Sequence, residues 1–202
     1  ADSIEHTSGA PSSLTASRAE GLVIRAWDQF CLVNLFSPAY KDAEASKKDI
    51  GIPYITKPTD VVSPKVERPS VAETYADIQK DLEAALPLVS DENYTTAPKY
   101  HFNVNAAHAF AARFYLYTRQ WEKVIQQADL VLGTDSASLA NMMMKYSVFA
   151  GCSSSSDYAN AWQDPSLNNN LMLTTTYSLM DRRCFGYRYS LAGPNAQKVL
   201  MF

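Results

Sequence analysis

Residues 105–132 predict two helices joined by a turn of only two or three residues. In the first helix, residues 105–118, small and aromatic side chains share one face. In the second, apolar residues recur at helical spacing before Gly133, a natural C-cap: Trp121, Val124, Ile125, Ala128, Val131 and Leu132. Because Trp121 lies on this apolar face, we predict that it packs at a helix turn and is not a ligand platform. A tryptophan that opens the second helix is typical of a tetratricopeptide hairpin.

Two further helices are predicted upstream. Residues 18–36 are apolar nearly all round, which predicts a helix buried between others. Ser70 and Glu73 form a capping box at the start of a helix over about 70–86. The two helices resemble a first hairpin, interrupted by a proline-rich excursion at 37–69.

We therefore predict a chain of three parts: an N-terminal loop at 1–17, a tetratricopeptide-like scaffold at 18–133 that includes the excursion, and a region of the ligand-binding type at 134–202. The fold class is mainly α, with helical hairpins, long irregular loops and a few short strands in the last third. The chain begins without Met and stops inside an apolar run. We expect it to be a piece of a longer protein.

The last third differs from the scaffold in composition. Serine and asparagine accumulate there, and residues 151–157 predict a low-complexity loop, whereas residues 171–180 predict a strand. Tyr158, Asn160 and Trp162 fall together in a predicted loop, where binding residues are often placed. With Tyr177 they are the candidate glycan-binding residues, since aromatic rings stack on sugar rings and amides bond to hydroxyls. Two alternatives stay open: the rings could serve a peptide ligand, or could plug the loop onto the helices.

Catalytic, metal and nucleic-acid signals are missing from the sequence. A formal net charge of −3 gives no basic footprint for nucleic acid. His101 and His108 lack metal-ligand spacing, and the glycines form no phosphate-binding loop. We predict no metal, no cofactor and no catalytic residue. A glycan-cleaving enzyme would need two opposed carboxylates, for which the tail offers three candidates: Asp157, Asp164 and Asp181.

Three motifs, in order, resemble the SusD/RagB outer-membrane nutrient-binding lipoproteins of Bacteroidetes. The first is EGLVIRAWDQFCLVNLF at 20–36, and the second is GIPY at 51–54 followed by PSVAETYADIQKDLEAA at 69–85. The third is AAHAFAARFYLYTRQWEKVIQQAD at 106–129. The match departs from the family at Val23, where phenylalanine is usual, and in the longer connector after the first motif.

The resemblance implies four tetratricopeptide-type hairpins that support irregular ligand-binding loops. It also implies a lipid-anchored protein, on the outer face of the outer membrane, that works with a SusC-like TonB-dependent transporter. Its lipid-bearing cysteine would lie outside this sequence. Most members capture oligosaccharides, and a branch is associated with peptides. We therefore expect non-catalytic capture of an oligosaccharide for import; peptide uptake and a helical protein–protein interaction scaffold are the alternatives.

Overall fold

The computed structural model describes residues 14–57, 60–62 and 64–173. Within these ranges the chain forms six α-helices: α1 (Leu14–Phe36), α2 (Val71–Ala85), α3 (Val104–Tyr117), α4 (Trp121–Leu132), α5 (Ser136–Met142) and α6 (Ser155–Trp162). The described part contains no β-strand, and its one isolated antiparallel bridge joins Ile50 to Ser70. The prediction of a mainly α fold is confirmed.

Helices α1 and α2 form the first antiparallel pair. Arg25 near the middle of α1 contacts Asp81 late in α2, while Asn34 near the end of α1 contacts Tyr75 early in α2. The predicted capping box begins α2, since the Ser70 hydroxyl accepts from the Glu73 backbone N–H and the Glu73 carboxylate accepts from the Ser70 N–H. Helix α1 starts at Leu14, so residues 14–17, predicted as loop, belong to a helix.

Helices α3 and α4 form the second pair, joined by the predicted tight turn. The Asn103 side chain caps α3 by accepting from the Ala106 N–H. Arg119 closes the turn in the left-handed conformation, with φ of 60°, and Gly133 ends α4 with φ of 72°. His108 Nδ1 lies 2.6 Å from Gln127 Oε1, so this histidine joins the two helices as a structural residue.

One aromatic core unites the two pairs. Phe30 of α1 packs edge-on against Tyr75 of α2 and against Phe110 and Phe114 of α3, with ring centroids 5.7–6.3 Å apart. Phe114 is completely buried, as are most of the small residues on α1 and α3 around it. The core therefore consists of the faces that α1, α2 and α3 turn toward one another.

Two predictions about burial are wrong for the described residues. Helix α1 is buried on one side only, because Leu35 and Phe36 near its end are exposed. Trp121 is 57% exposed, and Ile125 one turn later is exposed as well. Val124 instead packs against the core. The apolar face of α4 thus divides into a packed part and an open stripe.

The excursion between α1 and α2 is held against α2 at Gly51. Its N–H donates to the Pro69 carbonyl at 2.7 Å, and the Val71 N–H donates to the Asp49 carbonyl at 2.9 Å. A side chain at Gly51 would collide with backbone atoms, since an added Cβ would lie 2.7 Å from the Ser70 carbonyl oxygen. Glycine is required here by close approach.

Beyond Gly133 the described residues are more helical than predicted. Helix α5 occupies Ser136–Met142 and helix α6 occupies Ser155–Trp162, where loop was expected. Residues 165–166 and 168–169 form turns, and residues 171–173 have no regular secondary structure. The rest of the predicted strand at 171–180 lies outside the described residues.

Candidate functional site

Four aromatic side chains form a half-open cluster beyond the scaffold, which we call the aromatic patch: Tyr146, Phe149, Tyr158 and Trp162. Phe149 is at its centre. Its ring lies 5.9 Å from the Tyr158 ring and 5.9 Å from the Trp162 ring, at interplanar angles of 29° and 18°. Tyr146 is 76% exposed, Tyr158 50% and Trp162 56%. The patch therefore presents near-parallel rings to solvent.

Local structure explains why these rings meet. Ser154 and Asp157 form a second capping box, so α6 begins inside the serine-rich stretch that was predicted to be loop. Tyr158 and Trp162 are four residues apart on this helix, and positions i and i+4 share a face. Phe149 ends a short 3-10 turn, Tyr146–Phe149, which packs against α6. The helix holds the two exposed rings in a fixed relation.

The structure brings together only two of the four predicted site residues. Tyr158 and Trp162 lie in the patch. Asn160 also lies on α6 and is exposed, but two residues along a helix turn it by about 200° from Tyr158. It therefore lies on the opposite side of the helix from the rings. Tyr177 lies outside the described residues.

Phe149 and Tyr146 belong to the patch but were not among the predicted site residues. Their spacing of three residues, followed by two aromatics four residues apart, is the sequence signal that favours one cluster. These spacings place the rings on one face only if residues 146–162 are helical. Because we predicted a loop there, the four rings were not grouped from the sequence.

The segment after α6 fastens the patch to the scaffold. The Asn170 side chain donates to the backbone carbonyl of Trp162 at 2.9 Å. Further along, Lys99 Nζ donates to the Leu167 carbonyl at 2.5 Å, and the Leu173 N–H donates to the Lys99 carbonyl at 2.8 Å. The patch is thus joined to the residues just before α3.

The two carboxylates closest in sequence to Tyr158 and Trp162 are both stabilised as anions. Hydrogen bonds from the Ser154 side chain and from the backbone of Ser153 and Ser154 lower the pKa of Asp157. Hydrogen bonds from Ser166, first of all its backbone N–H, lower the pKa of Asp164. A general acid for glycoside cleavage needs a raised pKa. Neither residue has the environment of such an acid.

A buried ion pair between α1 and α2 is the strongest polar cluster elsewhere. The Arg25 guanidinium donates to both oxygens of Asp81, at 2.6 Å and 2.7 Å, and the Tyr54 hydroxyl donates to the same carboxylate at 2.5 Å. Burial, followed by the hydrogen bond to Asp81, raises the pKa of Tyr54. A cleft of about 320 Å³ opens beside this cluster. Its polar groups satisfy one another, so we assign the cluster a structural role.

A second polar cluster joins α1 to the segment before α3. The Glu20 carboxylate accepts from the Tyr94 hydroxyl at 2.9 Å and from the Phe102 N–H at 3.1 Å, and it lies 3.0 Å from His101 Nδ1. The Tyr94 and His101 rings stack at 4.4 Å. Because these contacts link residues far apart in sequence, they fix the connection between the two helix pairs.

Other kinds of site find little support. Among the described residues, no three His, Cys, Asp or Glu side chains are grouped to hold a metal ion. In the same ranges, no helix is long and apolar enough to cross a membrane. The Cys31 and Cys152 thiols are free and half-buried, and Cys184 lies outside the described residues.

Two packed helix pairs with an exposed aromatic patch beside them define the architecture of the described residues. The family model described as starch-binding and associating with the outer membrane matches residues 2–116, more than half of the chain. The chain belongs to this SusD-like family, which confirms the resemblance seen in its three motifs. No curated protein matches the chain.

Solved structures agree with the family. A SusD-like carbohydrate binding protein from Bacteroides vulgatus ATCC 8482 is 27% identical with a TM-score of 0.55, over 73% of this chain and 29% of that protein. A SusD superfamily protein from Bacteroides thetaiotaomicron VPI-5482 is 25% identical with a TM-score of 0.58, over 80% of this chain and 32% of that protein. The chain therefore spans about a third of the length of these relatives.

Proposed function

We propose that this chain is part of a non-catalytic protein that binds an oligosaccharide at the outer face of the outer membrane. The bound glycan would be passed to a SusC-like TonB-dependent transporter, and a lipid anchor outside these residues would hold the protein at the membrane. The observation that carries the proposal is the aromatic patch on a scaffold of a carbohydrate-binding family. Exposed rings in a fixed arrangement are what a sugar ring needs for stacking.

The geometry of α6 supports binding by a preformed surface. Tyr158 and Trp162 are held on one helix face and backed by Phe149, so few side-chain rotations would be lost on binding. Preorganisation of this kind lowers the entropic cost of association. The exposed tyrosine hydroxyls of Tyr146 and Tyr158 can bond to sugar hydroxyls at the rim of the rings.

Hydrolysis of the glycan is not part of the proposal. The pKa values of Asp157 and Asp164 are lowered, which disfavours the protonated carboxyl that cleavage would require. Asp181, the third candidate from the sequence, lies outside the described residues. We therefore treat the patch as a surface for capture.

Calorimetric titration of the complete encoded protein against neutral oligosaccharides and peptides tests the proposal. Trp162→Ala removes a half-exposed ring from the patch and should weaken glycan binding by about tenfold, which corresponds to about 1.4 kcal/mol. The chain offers a matched control in Trp121→Ala, because Trp121 is exposed to the same degree on a helix outside the patch. That variant should bind like the parent protein.

The proposal would be contradicted by unchanged affinity in Trp162→Ala, by an equal loss in Trp121→Ala, or by binding of peptides alone. The third would favour the peptide-uptake alternative. Binding of no small ligand at all would instead favour a protein–protein interaction scaffold.

A further inference from the structure

The spacing of the rings restricts the length of the ligand. Tyr158 and Trp162 are four residues apart on α6, so their Cα atoms are separated by about 6 Å along the helix axis. This separation is close to the length of one pyranose unit in an extended glycan. Phe149 stacks on both rings, at 29° to Tyr158 and 18° to Trp162, and we call these three rings the shelf. Such a shelf is long enough to contact two consecutive sugar rings.

The charges around the shelf restrict the chemistry of the ligand. Residues 146–173 contain no Lys, Arg or His, and their two charged residues are Asp157 and Asp164. Both carboxylates are kept ionised by hydrogen bonds that lower their pKa values. Lys145 directly precedes Tyr146 in the sequence, and the Lys99 ammonium group donates to the Leu167 carbonyl.

A uronic-acid or sulfated glycan is usually recognised by arginine or lysine groups placed on its anionic substituents. The shelf has no arginine, and its flanking carboxylates would repel such a ligand. A neutral glycan has no such penalty, because ring stacking and hydroxyl contacts carry its binding. The charge pattern and the ring spacing thus point to the same kind of ligand.

From these two observations we infer that the shelf formed by Phe149, Tyr158 and Trp162 selects uncharged glycans and engages two consecutive pyranose units. This inference rests on the proposed function of the patch and narrows it. Trp162 is the ring for the first sugar unit, and Tyr158 is the ring for its neighbour. Selection against anionic glycans comes from Asp157 and Asp164.

The experiment compares oligomer length and charge by calorimetry on the complete encoded protein. The neutral probes are glucose and the malto- and cello-oligosaccharides of two to four units, and the anionic probes are oligogalacturonates of the same lengths. In at least one neutral series, the disaccharide should bind about tenfold more tightly than glucose. Tyr158→Ala should remove most of that gain, and trigalacturonate should bind at least tenfold more weakly than the neutral trimer.

A charge variant provides the second arm. Gln163→Lys places a cation beside the shelf at an exposed position that carries no ring. It should raise affinity for trigalacturonate about threefold at low salt, an effect that is lost at about 0.5 M salt through screening. Affinity for the neutral trimer should stay the same.

Failure of this inference differs from failure of the proposed function. Equal or tighter binding of trigalacturonate, or equal binding of glucose and the disaccharide, would overturn the inference while Trp162→Ala still weakened glycan binding. If no saccharide bound, or if Trp162→Ala had no effect, the proposed function itself would fall.

Discussion

The ion pair of Arg25 and Asp81 permits a quantitative prediction about what joins α1 to α2. Arg25→Met or Asp81→Leu would each remove one half of this ion pair, whose side chains are only 18% and 11% exposed. Breaking a buried pair in this way costs about 3–5 kcal/mol. Arg25 keeps a long contact to the Thr56 carbonyl, at 3.4 Å. We therefore expect a loss of about 3 kcal/mol for each single variant.

The double variant distinguishes pairing from mere packing. Replacing both groups with apolar side chains removes both charges, so its cost should be about 3 kcal/mol or less instead of about 6. The coupling energy between Arg25 and Asp81 would then be at least about 3 kcal/mol. Urea unfolding followed by circular dichroism gives each free energy of unfolding from the midpoint and the slope.

A second ion pair with the same separation is the control. Lys47 Nζ lies 2.6 Å from Glu44 Oε1, but both side chains are more than half exposed. The corresponding cycle, Lys47→Ala with Glu44→Ala, should give a coupling energy below about 0.5 kcal/mol. If the Arg25 and Asp81 costs simply added, or if both cycles gave equal coupling, the reasoning from burial would be refuted.

Two further predictions concern the backbone and the buried tyrosines. Gly51→Ala should destabilise the protein by about 2 kcal/mol or more, because the new Cβ would lie within 3 Å of the Ser70 and Pro69 carbonyl oxygens; a thermal unfolding midpoint equal to that of the parent would contradict it. Burial raises the pKa of Tyr75 to about 12, so its stabilising contribution is complete below pH 10 and falls between pH 10 and 12. Tyr75→Phe should reduce the loss of stability between pH 10 and 12 by about 2 kcal/mol. If urea unfolding showed the same fall in the free energy of unfolding for both proteins over this range, the loss would not come from Tyr75.

The scaffold could be predicted where short-range signals agree. The capping box of Ser70 and Glu73 marks the start of α2, and Gly133 marks the end of α4, both as expected from sequence. These signals depend only on residues within one turn of one another. Helix α1 begins at Leu14, four residues before the predicted start at residue 18. The sequence around Leu14 has no capping box that would have marked this start.

Helix α6 was missed although its signal is present. Ser154 and Asp157 have the spacing of a capping box, but they lie in a run of four serines that reads as low-complexity loop. Serine competes with the helix by bonding to nearby backbone groups, so composition argues against a helix there. The capping interaction and the packing of Tyr158 and Trp162 on Phe149 outweigh that propensity.

Long-range polar contacts could not be derived from spacing. Tyr54, Arg25 and Asp81 meet from three separate segments, and Glu20 reaches residues more than seventy positions away. In the sequence alone, each of these residues has the pattern of an ordinary polar position in a helix or loop. Asp81 gains its two partners only because α1 and the excursion both pack against α2.

Trp121 and Trp162 show why exposure alone does not define a binding site. Both side chains are more than half exposed. Trp121 belongs to a regular apolar stripe with Ile125 one turn later, which is the pattern of a surface that packs against another helix. Trp162 instead stacks on Phe149 in a cluster that also contains two exposed tyrosines. The two tryptophans therefore make opposite predictions for the same substitution: loss of Trp162 should weaken glycan binding and leave the scaffold intact, whereas loss of Trp121 should leave glycan binding intact.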